Sequence, residues 1–196
     1  MCDIRGSRIK IRPLRHEDVY RMQNWGKHDD PLFYDYNFPN LNDEEILQWY
    51  NYRISNKNSK SFSVFDEEDK MIGYISIKNI RKLMKTSRLG IVFDPTILNN
   101  GYGSEAIMIL LEYYFNVMEM KTLYLDVAKF NKRAIRCYEK CGFKKIREYQ
   151  AKYSNFRSEL FDDNSYVWDE EFFSIKNNVI YCRYYEMKVQ NNYLTI

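Results

Sequence analysis

Glycine is scarce in this chain, 7 residues in 196, and proline scarcer still, with four. No Pro/Gly-rich linker, internal repeat or low-complexity tract is present, so one domain over residues 1–196 is expected, with an acidic insertion at about 158–175. Long apolar runs are missing too. None approaches the roughly 18 residues of a membrane helix, and the opening "MCDIRGSRIKIRPL" has no apolar core of the secretory kind; a cytoplasmic location is the expectation. Charge of one sign is absent: 30 basic residues face 27 acidic ones, a net +3 that leaves no footprint for nucleic acid or a membrane surface. The four cysteines form no C-x-x-C pair, and His16 and His28 are the only imidazoles. That argues against a metal site and for reduced structural thiols.

What the chain does have is apolar and aromatic bulk. Hydrophobic residues make up 45% and aromatics 17%, enough for a sizeable core whose tyrosine hydroxyls need partners. "IKIRPL" alternates like a strand and stops at Pro13, and "HEDVYRMQNW" sets Val19, Met22 and Trp25 at helical spacing. Asn42 and Glu45 match a capping box, after which Ile46, Trp49, Tyr50 and Ile54 form a stripe. "SFSVF" and "MIGYISI" flank the acidic turn "DEEDK", a hairpin signal, and "RLGIVF" is a further strand ending at Asp94-Pro95. Ile107, Leu110, Leu111 and Tyr114 then fit a helix, "TLYLDVA" a strand, and "NKRAIRCYEKCGF" a helix from Asn131 to Gly142. "FKKIREYQAKY" and "VIYCRYYEMKV" read as two closing strands. The order β-α-α-β-β-β-α-β-α-β-β predicts a mixed sheet flanked by helices, α/β or α+β.

The glycine pair in "LNNGYGSEAI" admits several readings. A nucleotide P-loop fails because Gly103 is followed by Ser104 and Glu105, with no lysine. A dinucleotide-binding fingerprint fails because the strand–turn connection is long and contains Pro95, and no acidic residue sits where a ribose would need one. Two readings remain on local grounds: a plain turn into a helix, or a cradle in which the first-turn N–H groups of Gly101 to Glu105 bind a pyrophosphate.

The wider pattern resembles the GNAT superfamily of N-acyltransferases, which use acetyl-CoA, and within it the ribosomal-protein and polyamine acetyltransferase branches. "IRPLRHEDVYRMQNW" looks like their opening strand and helix. "GIVFDPTILNNGYGSEAI" is similar to the strand–loop–helix that binds the pyrophosphate, usually [QR]-x-x-G-x-[GA]. "LDVAKFNKRAIRCYEKCGF" matches N-x-x-[AS]-x-x-x-Y-x-[KR]-x-G-F. One departure stands out, since Leu98 occupies the usual Gln or Arg position. The resemblance implies a GNAT fold, a mixed and mostly antiparallel sheet with flanking helices and splayed central strands. It implies that Ile91, Val92 and Phe93 bind the pantetheine arm by strand addition, with an N–H near Val92 serving the oxyanion. It puts Asn99, Asn100, Gly101, Tyr102, Gly103, Ser104, Glu105, Asn131 and Arg133 at the CoA. No metal is implied.

Transfer of acetyl from a thioester to an amine needs a neutral amine, although a lysine-like amine has a pKa near 10.4. It also needs donors for the oxyanion and a proton for the departing thiolate. Tyr138 matches the family tyrosine that supplies that proton, while on spacing alone it is one member of a stripe with Ala134, Cys137 and Cys141. Asp126 is a candidate base; a water chain could serve instead. Asp35, Glu44 and Glu45 are further candidates for the base, or else solvated caps or surface charges; with Tyr36 they fall in the first helical region, one wall of the acceptor site in this family, where Asp35, Tyr36 and Glu45 are expected to meet the substrate.

Trp168 and the acids of "ELFDDNSYVWDEEFF", residues 159–173, suggest attraction of a cationic amine, or merely a solvated hairpin. The expected activity is acetyl-CoA-dependent N-acetylation of a primary amine, either a small cationic amine such as a polyamine or a protein N-terminus. The alternative is a non-catalytic acyl-CoA-binding domain of the same fold. A homodimer is compatible with the family.

Overall fold

The strand and helix patterns meet their expected partners in a computed structural model, which describes residues 3–153 and 169–191. The chain packs as two units, Met1–Leu123 with Gln190–Ile196, and Tyr124–Val189.

The first unit is built on an antiparallel sheet in chain order: β1 (Ile4–Arg5), β2 (Lys10–Pro13), β3 (Lys60–Phe65), β4 (Met71–Arg81) and β5 (Thr86–Phe93). The short β1 and the extension of β4 to Arg81 were not legible in the alternation. The acidic turn between β3 and β4 forms for a local reason. The Asp66 carboxylate accepts from the Glu68 and Lys70 amides at 3.1 and 2.9 Å, and Asp69 turns through a left-handed φ of 60°.

Register then sorts the two faces. Ile11, Val64, Phe62, Ile75, Ile77 and Leu89 lie on one, all buried. Arg12, Ser63, Tyr74, Ser76, Lys78, Gly90 and Val92 lie on the other. The first face packs toward α3 (Tyr102–Glu112) and the π-turn that extends it, Tyr113–Val117, with Phe62 and Tyr113 edge to face at 6.1 Å. Ile107, Leu110, Leu111 and Tyr114 are fully buried, as their spacing predicts. The Tyr114 hydroxyl is satisfied, accepting from Ser87 and donating to the Thr122 carbonyl, each at 2.8 Å.

The polar face is covered by α1 (His16–Gln23) and α2 (Asp43–Ser55). It contains a buried ion pair. Asp18, with no exposed surface, accepts from both terminal nitrogens of Arg12 at 2.7 Å, from Ser63 at 2.7 Å and from the Arg15 amide at 2.9 Å. The capping box of α2 forms as expected: Asn42 accepts from the Glu45 amide at 3.0 Å, and Glu45 accepts from the Asn42 amide at 2.8 Å. Ile46 of the stripe is buried, whereas Ile54 is half exposed, because the helix dips into the core only through its first three turns.

In the second unit, β6 (Thr122–Ala128) neighbours β9 (Val179–Gln190), which pairs antiparallel with β7 (Lys144–Lys152) and with β8 (Phe173–Lys176). The strand β8 takes up the end of the anticipated insertion: Phe173 stacks on Phe130 at 5.8 Å, so the aromatic there is core and not surface. α4 (Lys132–Lys140) starts at Asn131 and ends in a Schellman turn. Gly142 sits at φ +86°, its amide on the Glu139 carbonyl at 3.0 Å, and the Phe143 amide reaches the Tyr138 carbonyl at 3.0 Å. Among the described residues, no helix is long and apolar enough to cross a membrane, and no group of three metal-ligating side chains occurs.

Candidate functional site

The glycine turn is built by strain that two residues can bear. Asp94 caps the single 3-10 turn Pro95–Ile97, accepting from the Thr96 amide at 3.0 Å, the Thr96 hydroxyl at 2.8 Å and the Gly26 amide at 3.1 Å. Asn99 then adopts φ 70° and Gly101 φ 84°, left-handed values open to Asn and Gly. Gly101 is thereby the N-cap of α3, and Gly103 is inside the first turn. The Glu105 amide is the first to close back on the helix, onto the Gly101 carbonyl at 3.2 Å; those of Gly101, Tyr102 and Gly103 precede it. Here the backbone of a helix start and its dipole present donors to an anion.

A residue that sequence reasoning passed over stands beside them. The Arg8 guanidinium donates to Glu105 at 3.0 Å and to the Asn100 carbonyl at 3.1 Å, and lies 4.8 Å over the Tyr102 ring. Burial would raise the Glu105 carboxyl. The Arg8 amide, the Ser7 hydroxyl and the Arg8 guanidinium outweigh that and hold it below its ordinary range. Glu105 is thus an anchor for Arg8. No local signal marks Arg8, because 97 residues separate the pair.

The second feature is a cavity of about 200 Å³ in the same unit. Asp35 and Tyr36, from a 3-10 turn at Pro31–Tyr36, line it together with Ile91 and Val92 of β5. Trp25, Phe38, Trp49 and Tyr74 form an aromatic wall, edge to face with centroids 6.4, 5.5 and 5.4 Å apart in that order. The connection from α1 to α2 is pinned by Gln23, whose amide bonds both backbone groups of Leu41 at 2.8 and 2.7 Å, and by Lys27 on the Phe38 carbonyl. Phe93, also half-buried, lies instead against Gly73, where a Cβ would meet its ring at 2.6 Å.

Two cationic side chains also line the cavity, Arg53 and Lys78. Alternation could have found the second: Tyr74, Ser76 and Lys78 share the polar face of β4, between Ile75 and Ile77. Glu45 does not line it; its carboxylate is spent on the helix cap, and Glu44 bonds Gln48 at 3.2 Å.

In the second unit, Asn131 is buried and its side chain accepts from the Ala134 amide at 3.1 Å, an N-cap. Tyr138 is half-buried on α4, its ring 5.8 Å from Phe143. Arg133 is half-buried one turn earlier. Asp126 is exposed and accepts from the Tyr149 hydroxyl at 2.8 Å. Of the acidic aromatic segment, Trp168 and the acids before it lie outside the described residues. Glu171 is paired with Lys132 at 3.0 Å and Lys129 at 4.0 Å.

The family described as "Acetyltransferase (GNAT) domain" matches residues 8–144. Spermidine N(1)-acetyltransferase of Vibrio cholerae serotype O1 is 26% identical over 137 residues, covering 70% of this chain and 79% of that protein. Ribosomal-protein-serine acetyltransferase of Escherichia coli K12 is 29% identical over 105 residues, covering 54% and 57%. The crystal structure of spermidine N-acetyltransferase from Vibrio cholerae in complex with CoA and spermine superposes with a TM-score of 0.71 at 20% identity, over 95% of this chain and 98% of the other. That likeness concerns the fold.

Proposed function

The chain belongs to the GNAT acetyltransferase family, and from that premise we propose how its residues divide the work of an acetyl-CoA-dependent N-acetyltransferase. The reaction is direct. The amine nitrogen attacks the thioester carbonyl, a C–N bond forms, the C–S bond breaks, the amine loses a proton and the thiolate gains one. The observation that carries the reading is that Ile91 and Val92, expected at the pantetheine arm, line the same cavity as Asp35 and Tyr36, expected at the acceptor. Donor and acceptor chemistry then share one chamber with an aromatic wall that limits water.

The start of α3 receives the pyrophosphate through the amides of Gly101, Tyr102 and Gly103, with the Arg8 guanidinium beside them standing in for the side-chain donor that Leu98 lacks. Asn131 shapes the entry to α4, and Tyr138 protonates the leaving thiolate. Asp126, engaged by Tyr149, is the candidate base.

Thiol release from acetyl-CoA across a panel of primary amines tests the activity. CoA binding without release from any amine would leave the non-catalytic alternative standing. Two variants test the cradle. Gly103→Val places a branched side chain at the helix start and raises the KM for acetyl-CoA about ten- to hundredfold, the worth of one or two charge-assisted hydrogen bonds. An unchanged KM in the folded variant assigns the glycines to a plain turn. Arg8→Met raises the same KM by a smaller factor, about three- to tenfold, because the guanidinium is partly exposed and screened. Steady-state titration of acetyl-CoA at fixed amine reads both.

A polyamine acceptor is the second reading, favoured by the spermidine-acting relatives. The charges of the cavity bear directly on it, for two of its lining residues are cations and one, Asp35, is an acid.

A further inference from the structure

Arg53 and Lys78 line the cavity without an anionic partner among the described residues. The Arg53 guanidinium lies over the Trp49 ring at 4.8 Å and the Tyr74 ring at 5.8 Å, cation–π contacts that hold it at the aromatic wall. Its Nε is buried and has no hydrogen-bond partner. Lys78 folds back across β5 so that a Cβ at Gly90 would meet its Nζ at 3.3 Å and the Ser76 hydroxyl at 2.7 Å. Glycine at position 90 is what leaves room for that ammonium. Asp35 is the one carboxylate lining the cavity, and the charge that acts on Lys78 is that of Arg53.

Resting on the reading above, in which this cavity receives the acceptor amine, we propose that the acceptor is a small amine that also bears a carboxylate, and that Arg53 and Lys78 bind that carboxylate. Three features support this. The two cations repel each other, and although Lys78 is exposed as a residue, desolvation of its ammonium together with the Arg53 guanidinium holds it below the usual lysine range. A bound carboxylate offsets the repulsion between the two cations and offers the guanidinium a charge-assisted hydrogen-bond acceptor.

A planar guanidinium held on aromatic faces matches a carboxylate better than it matches any neutral group. By contrast, a polyamine brings further positive charge to a cavity that already holds two cations against one acid. An amine that carries its own carboxylate is steered by that group to Arg53 and Lys78, leaving its nitrogen to reach toward Ile91 and Val92.

The test compares matched acceptors with the full chain, reading thiol release from acetyl-CoA: 4-aminobutyrate, lysine and glycine, their methyl esters, and 1,4-diaminobutane and spermidine. At least one carboxylate acceptor is expected to exceed its own ester and both polyamines in kcat/KM by tenfold or more. Its KM is expected to rise with ionic strength more steeply than that of the ester. Lys78→Gln and Arg53→Gln are expected to lower kcat/KM for the carboxylate acceptor about ten- to hundredfold more than for its ester, through KM. Circular dichroism checks that each variant is folded.

Turnover of polyamines above every carboxylate acceptor, with no charge-dependent loss in Lys78→Gln, overturns the inference and leaves N-acetyl transfer intact. Absence of thiol release with every amine overturns the catalytic reading itself, and the inference with it.

Discussion

Tyr138→Phe lowers kcat by about a hundred- to ten-thousandfold, the loss that accompanies removal of a general acid, and leaves the KM for acetyl-CoA within about twofold. The substitution is a clean one for a structural reason. Tyr138 is the residue whose carbonyl accepts from the Phe143 amide at 3.0 Å, and its ring packs on Phe143 at 5.8 Å. Phenylalanine keeps the carbonyl, the ring and the Schellman turn, and deletes only the hydroxyl. The circular dichroism spectrum should therefore be unchanged while turnover falls. A kcat equal to that of the parent would remove Tyr138 from the chemistry and return it to packing. The same geometry explains why tyrosine, glycine and phenylalanine occur at these spacings. The Tyr138 side chain meets Phe143 only because Gly142 takes the left-handed turn between them.

Asp18→Ala has the largest expected effect on stability, about 3–5 kcal/mol. Its carboxylate makes four hydrogen bonds, to both terminal nitrogens of Arg12, to the Ser63 hydroxyl and to the Arg15 amide. Alanine leaves the Arg12 guanidinium, 8% exposed, as a buried charge without its partner. Urea denaturation followed by circular dichroism reads the loss as a lower midpoint with little change in slope. Asp18→Asn, which keeps the shape and half of the acceptor capacity, should fall between the two. Equal midpoints for Asp18→Ala and the parent would mean that the pair contributes nothing net. Ser63 opposes Tyr74 in the sheet, so this network underlies the aromatic wall of the cavity, and Asp18→Ala should also raise acceptor KM.

Much of the fold could be read along the chain because its signals are local. The α2 capping box, the Asp66 turn, the amphipathic face of α3 and the Asn131 and Gly142 ends of α4 each depend on residues within a few positions. The short strands β1 and β8 escaped because two to four residues carry too little periodicity, and their existence depends on the strand beside them. The site divides the same way. Gly101 was legible because a left-handed turn before a helix selects glycine. Glu45 was misleading for the converse reason: an acid near an expected pocket was also the natural cap of its own helix, and the cap took it.

The sequence by itself therefore determined the order of the elements other than β1 and β8, the glycine turn and, through motifs that resemble the GNAT family, the transferred group and its donor. Each of these is written in short motifs or in alternation. Only the tertiary structure decided which side chains share the acceptor cavity. Arg53 comes from a helix, Lys78 and Tyr74 from one strand, and Gly90 from the next, and Arg8 reaches Glu105 across 97 residues. Charge at such a site is a sum over distant segments, and a net charge of +3 for the whole chain says nothing about the sign inside one cavity. Packing brings those charges together, and from them comes the expectation that the amine accepting the acetyl group carries a carboxylate of its own.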